Sequence, residues 1–160
     1  GAYMRRKVYE PCLVLCSTAR RTKETVELLL PALHSAQREN GWLSPEVLDE
    51  VGQYIGIHPA QVREVASFYT MYNLKPVGKY KLAICTNLPC ALQGATAAAE
   101  HLKKKLGIGF GETTADGNFT LKEAECLGAC GEAPVLIRNN KQMLCGMSND
   151  KLDKLLEELK

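Results

Sequence analysis

Residues 80–90 read YKLAICTNLPC and residues 119–130 read FTLKEAECLGAC, and these two stretches share one design. Each begins with hydrophobic residues in a strand-like pattern, and each ends in a pair of cysteines. The pattern predicts two β-strands, one ending at Cys85 and the other leading to Cys126. Loops that follow strands at the same edge of one sheet can meet. The two stretches therefore predict an α/β fold in which two cysteine pairs converge.

The spacing of the four cysteines, Cys85-x4-Cys90 and Cys126-x3-Cys130, narrows the chemistry. Thiolates are soft, anionic ligands that suit iron–sulfur clusters and zinc. Structural zinc sites commonly use a two-residue gap, whereas C-x4-C opens the ligand set of plant-type [2Fe-2S] ferredoxins. We interpret all four cysteines as ligands of one [2Fe-2S] cluster, with a four-thiolate zinc scaffold as the alternative. Thiol–disulfide exchange through C-x2-C is not indicated, because that motif is absent.

Three further cysteines are assigned packing roles. Cys12 and Cys16 repeat the three-residue gap and form a rival ligand pair, but they flank the apolar sequence Leu-Val-Leu. Buried free cysteine commonly acts as a small hydrophobic residue. Cys145, at the end of the last predicted strand, is interpreted in the same way.

Composition excludes several classes of protein. The chain has 160 residues, seven cysteines and a formal net charge of +2. An odd cysteine count in a chain of this length favours a reducing compartment and metal ligation over a disulfide framework. No apolar run is long enough to span a bilayer, and no signal peptide is visible, so direct membrane insertion is not expected.

Local signals divide the chain into three parts: an unassigned segment (1–21), a small helical bundle (22–73) and an α/β domain (74–160). Helix starts are predicted at Ser44-Pro45 and His58-Pro59, and a stop is predicted at Asn40-Gly41. The second helix is expected to bury a stripe that includes Tyr54.

Residues 22–73 carry three Lys/Arg against seven acids. This surplus of acid argues against nucleic acid as a partner, and so against a cluster-based DNA-binding regulator.

The α/β domain is predicted to follow the order β-α-β-β-α. Asn139-Asn140 is a predicted hairpin turn because asparagine tolerates positive φ. Two helices should each bury one face. These inward faces comprise Leu92, Ala95, Ala99, Leu102 and Leu106 in the first helix, and Leu152, Leu155, Leu156 and Leu159 in the second. Four aromatic residues near the domain junction are expected to form an interdomain core, with a partner-docking patch as the alternative: Phe68, Tyr69, Tyr72 and Tyr80.

Four motifs resemble the NuoE family of NADH:quinone oxidoreductase (respiratory complex I). They are CTNLPC at 85–90, ECLGAC at 125–130, APV at 133–135 and VASFYTMY at 65–72, within a likeness that covers about residues 33–160. The resemblance implies a thioredoxin-like ferredoxin domain preceded by an N-terminal helical bundle. It places one [2Fe-2S] cluster on the four cysteines already singled out. A cis peptide bond between Ala133 and Pro134 is also expected, because thioredoxin-like folds place a cis-proline there.

The resemblance also implies a function. Such a subunit docks against a partner that carries FMN and binds NADH, and its cluster exchanges single electrons with the flavin. No catalytic residues are identified in this chain, which is expected to carry electrons without substrate chemistry of its own. Its expected location is the cytoplasm, peripheral to the inner membrane, or the mitochondrial matrix in a eukaryote. The equivalent subunit of an NAD-linked formate dehydrogenase or hydrogenase is the alternative parent complex.

Overall fold

A computed structural model describes residues 25–160. The chain forms two compact units that divide between Pro76 and Val77. Cys12 and Cys16 lie outside the described residues. Within the described part of the chain, no helix is long and apolar enough to cross a membrane.

The first unit is helical. A π-helical turn at Thr25–Leu29 leads into α1 (Leu30–Asn40), followed by α2 (Pro45–Ile55) and α3 (Pro59–Phe68). The predicted starts of the last two helices are confirmed, because each has proline in its first turn and a capping side chain before it. Ser44 Oγ accepts a hydrogen bond from Val47 N at 3.3 Å, and His58 Nδ1 accepts one from Ala60 N at 3.2 Å.

The core of the first unit is apolar and lies between these helices. Its buried residues are Leu29, Leu33, Ala36, Leu43, Leu48, Val51, Val62, Ala66 and Tyr72. The predicted inward position of Tyr54 is wrong, because its side chain is 48% exposed. Phe68, at the end of α3, is 77% exposed and does not belong to this core.

The second unit contains a four-stranded sheet. Its element order, β-α-α-β-β-β-α, contains one strand and one short helix more than the predicted β-α-β-β-α. Its elements are β1 (Tyr80–Cys85), α4 (Leu88–Ala91), α5 (Ala95–Leu106), β2 (Phe119–Ala124), β3 (Leu136–Arg138), β4 (Gln142–Leu144) and α6 (Asn149–Glu158). The strands lie in the order β2-β1-β3-β4, with β1 parallel to β2 and the other neighbours antiparallel. The β3–β4 turn has φ of 51° at Asn139 and 55° at Asn140, as predicted.

Helices α5 and α6 share one hydrophobic core with the sheet. It includes Leu82, Ile84, Phe119, Leu121 and Leu136 from the strands, and Ala98, Leu102, Leu152, Leu155 and Leu156 from the helices. The predicted inward position of Leu92 is wrong, because α5 begins only at Ala95. Gly94 precedes it with φ of 91°, a conformation that favours glycine, and Leu92 is left 80% exposed.

Strand β1 is buried on both sides rather than on alternate residues. All residues from Lys81 to Cys85 are buried, so both faces of this central strand are covered. Lys81 is 4% exposed, and burial, with a smaller contribution from Lys122, lowers its pKa to about 8. The side-chain alternation in the sequence therefore identified the strand but not its burial.

Candidate metal centre

Parallel pairing of β1 and β2 brings the two cysteine loops to one edge of the sheet. The register pairs Cys85, the last residue of β1, with Ala124, the last residue of β2. Cys90 follows in α4, and Cys126 and Cys130 follow β2. Both loops leave the carboxyl ends of adjacent parallel strands, the position at which α/β sheets commonly place their ligand sites.

The first cysteine pair is part of a small core. Cys85 is 0% exposed and Cys90 is 1% exposed, and both pack with Ala95. The backbone fixes each of them: Cys85 N donates to Val135 O at 3.0 Å, and Cys90 N donates to Asn87 O at 2.9 Å. These two sulfur atoms are thus placed by the fold itself.

Cys130 from the second loop reaches this buried pair. Burial, followed by contacts with the thiols of Cys85 and Cys130, raises the pKa of the Cys90 thiol to about 12. Without a bound cation, Cys90 is therefore protonated and neutral at neutral pH. Since the metal ligand is the thiolate, a cation that binds here must displace this proton.

Cys126 differs from the other three cysteines because it is exposed. Among residues 25–160, no group of three or more His, Cys, Asp or Glu side chains is already arranged as a metal-ion site. Cys90 contacts the thiols of Cys85 and Cys130, and Cys126 lies in the adjoining surface loop. Four thiol donors in two loops fit a [2Fe-2S] cluster in kind and in number, because such clusters are held by four cysteine thiolates. The assignment of Cys85, Cys90, Cys126 and Cys130 as its ligands remains a prediction.

Side-chain hydrogen bonds join the two loops independently of any metal. Thr86 Oγ1 donates to Glu123 Oε1 at 2.5 Å, and Asn87 Nδ2 donates to Glu125 Oε2 at 3.3 Å. A third bond runs from Gln93 Nε2 to the carbonyl of Cys130 at 2.6 Å. The motif spacing gave no signal for these pairs, because their members lie 37 or 38 residues apart in the chain.

The second loop depends on glycine. Gly128 has φ of 75°, which residues with a Cβ rarely adopt, so the chain turns here between Cys126 and Cys130. A short 3-10 turn, Cys130–Glu132, follows, and the Ala133–Pro134 peptide bond is cis, which confirms the prediction. This sequence of turns returns the chain to the sheet at β3.

Cys145 lies just after β4 and is partly buried. Burial, followed by its interaction with the carboxylate of Glu132, raises the pKa of its thiol. A raised pKa keeps the thiol protonated, which is consistent with the packing role predicted for it.

Comparison with known proteins assigns this chain to a protein family. The thioredoxin-like [2Fe-2S] ferredoxin family matches residues 15–160. The chain therefore belongs to this family, and the predicted α/β, thioredoxin-like ferredoxin fold is confirmed. The family description supports an iron–sulfur cluster as the cofactor.

Curated relatives narrow the class further. The chain is 45% identical over 120 residues to an E-type subunit of NADH-quinone oxidoreductase from Rhizobium meliloti, covering 75% of this chain and 71% of the relative. It is 43% identical over 132 residues to the E-type subunit from Rickettsia conorii, covering 82% and 78%, respectively. It is 40% identical over 132 residues to NADH-quinone oxidoreductase subunit 2 of Thermus thermophilus, covering 82% and 73%. The predicted resemblance to the NuoE family of NADH:quinone oxidoreductase is confirmed.

The chain is also similar in structure to part of another type of enzyme. The chain is similar to the NAD+-reducing [NiFe]-hydrogenase in its air-oxidized state, with a TM-score of 0.74 and 25% identity. The match covers 89% of this chain but only 24% of the hydrogenase chain, so this chain spans about a quarter of that length. Family, relatives and structure together support an electron-transfer subunit with a [2Fe-2S] cluster.

Proposed function

We propose that this chain is the electron-transfer subunit of an NADH:quinone oxidoreductase, with one [2Fe-2S] cluster that exchanges single electrons with FMN on a partner subunit. One observation carries the proposal. In a chain of the [2Fe-2S] ferredoxin family, a buried pair of cysteines contacts Cys130 at the sheet edge where the second cysteine loop arrives. Cys85, Cys90, Cys126 and Cys130 are the proposed ligands.

A bound [2Fe-2S] cluster would supply one-electron redox chemistry. The chain's own residues supply its environment. The buried Cys85–Cys90 pair excludes water on one side, and the exposed Cys126 leaves the other side open to the surface. Residues 85–99 carry no charge, and residues 123–137 carry three glutamates and no Lys or Arg. Because these two segments carry glutamates and no Lys or Arg, we expect a low reduction potential.

The partner in this proposal is the subunit that carries FMN and binds NADH. The two-electron hydride chemistry belongs to that subunit, and this chain acts as a carrier without catalytic residues of its own. The proposed location is cytoplasmic and peripheral to the inner membrane, or in the mitochondrial matrix of a eukaryote. The equivalent subunit of an NAD-linked hydrogenase is the second candidate, which the structural similarity to the NAD+-reducing hydrogenase favours.

The test is anaerobic reconstitution of the full chain, followed by iron and sulfide assays, a visible spectrum and EPR after reduction. We expect two irons and two sulfides per chain, and an EPR signal that develops when NADH and the FMN-bearing subunit are added. Serine at any proposed ligand should abolish or weaken the cluster, whereas Cys145→Ser, the matched control, should retain it. A single bound zinc, or a ligand variant with full iron and sulfide, would refute the assignment.

A further inference from the structure

The two edge strands of the sheet differ in what lies beside them. At β2, Leu121 N donates to Glu112 O at 3.1 Å, and Leu121 O accepts from Gly111 N at 2.8 Å. A β-bridge between Thr113 and Thr120 continues this contact. The chain itself therefore covers the edge at β2, whereas β4, at the other edge, pairs with β3 alone in the described part of the chain.

Backbone hydrogen bonds fix the direction in which β3 presents its peptide groups. Cys85 N donates to Val135 O at 3.0 Å, and Asn139 N donates to Lys81 O at 2.8 Å. Successive residues of a strand direct their N–H and C=O to opposite sides, so every second residue of β3, counted from Val135, bonds to β1. The residues in between direct their peptide groups to β4.

This alternation leaves Met143 with outward peptide groups. The residues in between are Leu136 and Arg138, which pair in register with Leu144 and Gln142. Met143 lies between those two partners, so its N–H and C=O point away from the sheet, and within residues 25–160 no strand pairs with them. Its side chain is 45% exposed. One residue thus offers a donor, an acceptor and an apolar side chain to an extended chain that lies alongside β4.

The charge around this edge is positive. Residues 133–149 contain Arg138 and Lys141 and no Asp or Glu. Asn139 Nδ2 donates to Lys79 O at 3.2 Å, so a third basic residue adjoins the β3–β4 turn. Lys79 and Lys141 are both exposed. A basic surface of this kind favours an acidic partner and disfavours a second copy of the same surface.

We propose that β4 and the β3–β4 turn bind an extended, acidic segment of a protein partner by antiparallel strand addition. The segment places an apolar residue opposite Met143 and a Glu or Asp two residues away, opposite Lys141. Residues two apart on a strand share a face, so both side chains of the segment lie on one side of the sheet. The N–H···O bonds at Met143 provide affinity, and the two side-chain pairs provide specificity. The turn adjoins the start of β1, at the opposite end of that strand from Cys85, so this site is separate from the proposed metal centre and does not depend on it.

The test measures binding of a defined peptide to the full chain purified anaerobically. The probe is acetyl-Thr-Glu-Thr-Val-Thr-Glu-Thr-amide, which reads the same in both directions and has a Glu two residues from Val on either side. With the peptide in excess, amide hydrogen exchange should slow at residues 141–145 and nowhere else. The matched peptide with Lys in place of both Glu residues should have a Kd about fivefold higher or more at low salt. N-methylation of the central Val removes the donor to Met143 O and should raise Kd by a similar factor.

Variants of the chain test the backbone and the charge separately. Met143→Pro removes the outward N–H, and proline is tolerated where the N–H of an edge strand faces solvent. It should raise the Kd of the acidic peptide by about fivefold or more and leave the visible spectrum unchanged. Lys141→Glu leaves the backbone intact and should reverse the preference between the acidic and the basic peptide. Lys104→Glu, at an exposed position of α5, changes the net charge equally and is the control, which should keep the original preference.

The proposal is overturned if the acidic peptide does not bind, or if the amides that it protects lie outside residues 141–145. It is also overturned if the basic peptide binds as tightly, or if Lys141→Glu leaves the preference unchanged. Should Met143→Pro fail to fold, the N-methylated peptide tests the same hydrogen bonding on the intact chain, and an unchanged Kd would exclude strand addition. If sedimentation shows a dimer of the free chain that Lys141→Glu or excess peptide dissociates, β4 instead pairs with a second copy of this chain.

Discussion

The two cysteine loops of the second unit are held in opposite ways. In the first loop both thiols are buried, because β1 lies inside the sheet and α4 folds back on its end. The second loop follows β2, an edge strand, and its cysteines are exposed at Cys126 and partly buried at Cys130. The comparison indicates that the folded core fixes one half of the proposed ligand set, whereas a tethered surface loop carries the other half.

The largest expected difference between the loops is in the stability of the metal-free protein. Cys85→Ser places a hydroxyl group in a fully buried position and should lower the free energy of unfolding by about 1–3 kcal/mol. Cys126→Ser changes an exposed side chain and should alter it by less than about 0.5 kcal/mol. Chemical denaturation of the two variants without metal, in a thiol-reducing buffer, measures the contrast. An equal decrease in unfolding free energy in both variants would contradict the proposed difference between the loops.

A smaller effect is expected at the hydrogen bond from Gln93 to the carbonyl of Cys130. Gln93→Leu removes this bond and should lower the free energy of unfolding by about 1 kcal/mol, the usual net value of one hydrogen bond. It should also speed the loss of the cluster to an iron chelator, because the second loop is then less firmly held. Gln61→Leu at an exposed site of α3 is the control, and it should change neither quantity. A chelation rate equal to that of the unsubstituted chain would show that the bond does not hold the loop.

The smallest effect is expected far from both loops, between α5 and α6. Asp153 Oδ1 lies 2.7 Å from His101 Nε2, and Asp153 Oδ2 lies 3.0 Å from Lys105 Nζ. Hydrogen bonds from His101 and then Lys105 hold the pKa of Asp153 below its usual value. Because the carboxylate loses its proton more readily in the folded state, the stabilisation is complete above the pKa of the unfolded chain. It disappears as pH falls through the lower pKa of the folded state.

Asp153→Asn should therefore lower the free energy of unfolding at pH 7, and the difference from the unsubstituted chain should vanish in strong acid. Denaturation curves over the acid range measure it, with Glu157→Gln on the same helix as control. The difference in unfolding free energy between Cys85→Ser and Cys126→Ser should be the same when Asp153→Asn is also present. The effects of substitutions at distant sites on stability are usually additive. A difference at Asp153 that stays constant down to strong acid would exclude this ion pair as its cause.

Local chemistry made much of the fold predictable. Proline after a capping residue marked the starts of α2 and α3, and the Asn139-Asn140 pair marked the β3–β4 turn. Cysteine spacing and the strand pattern identified the candidate site and the edge of the sheet that carries it. These features depend on residues close together in the sequence.

Features that depend on distant contacts were not predictable. Leu92 fits the helical period of α5, yet Gly94 separates it from that helix and leaves it exposed. Lys81 is a basic residue, yet on the central strand β1 it is only 4% exposed. The bonds from Thr86 and Asn87 to the second loop join residues that no short motif connects. The sequence thus located the four cysteines proposed as ligands but not the polar contacts that hold their loops together.

Parallel pairing of β1 with β2 also sets an order of assembly. The two strands are separated by residues 86–118, so their pairing is a non-local contact of the kind that forms slowly during folding. Before it forms, Cys85 and Cys126 are far apart on a flexible chain. A site built from both cysteine pairs is therefore complete only once these two strands have paired.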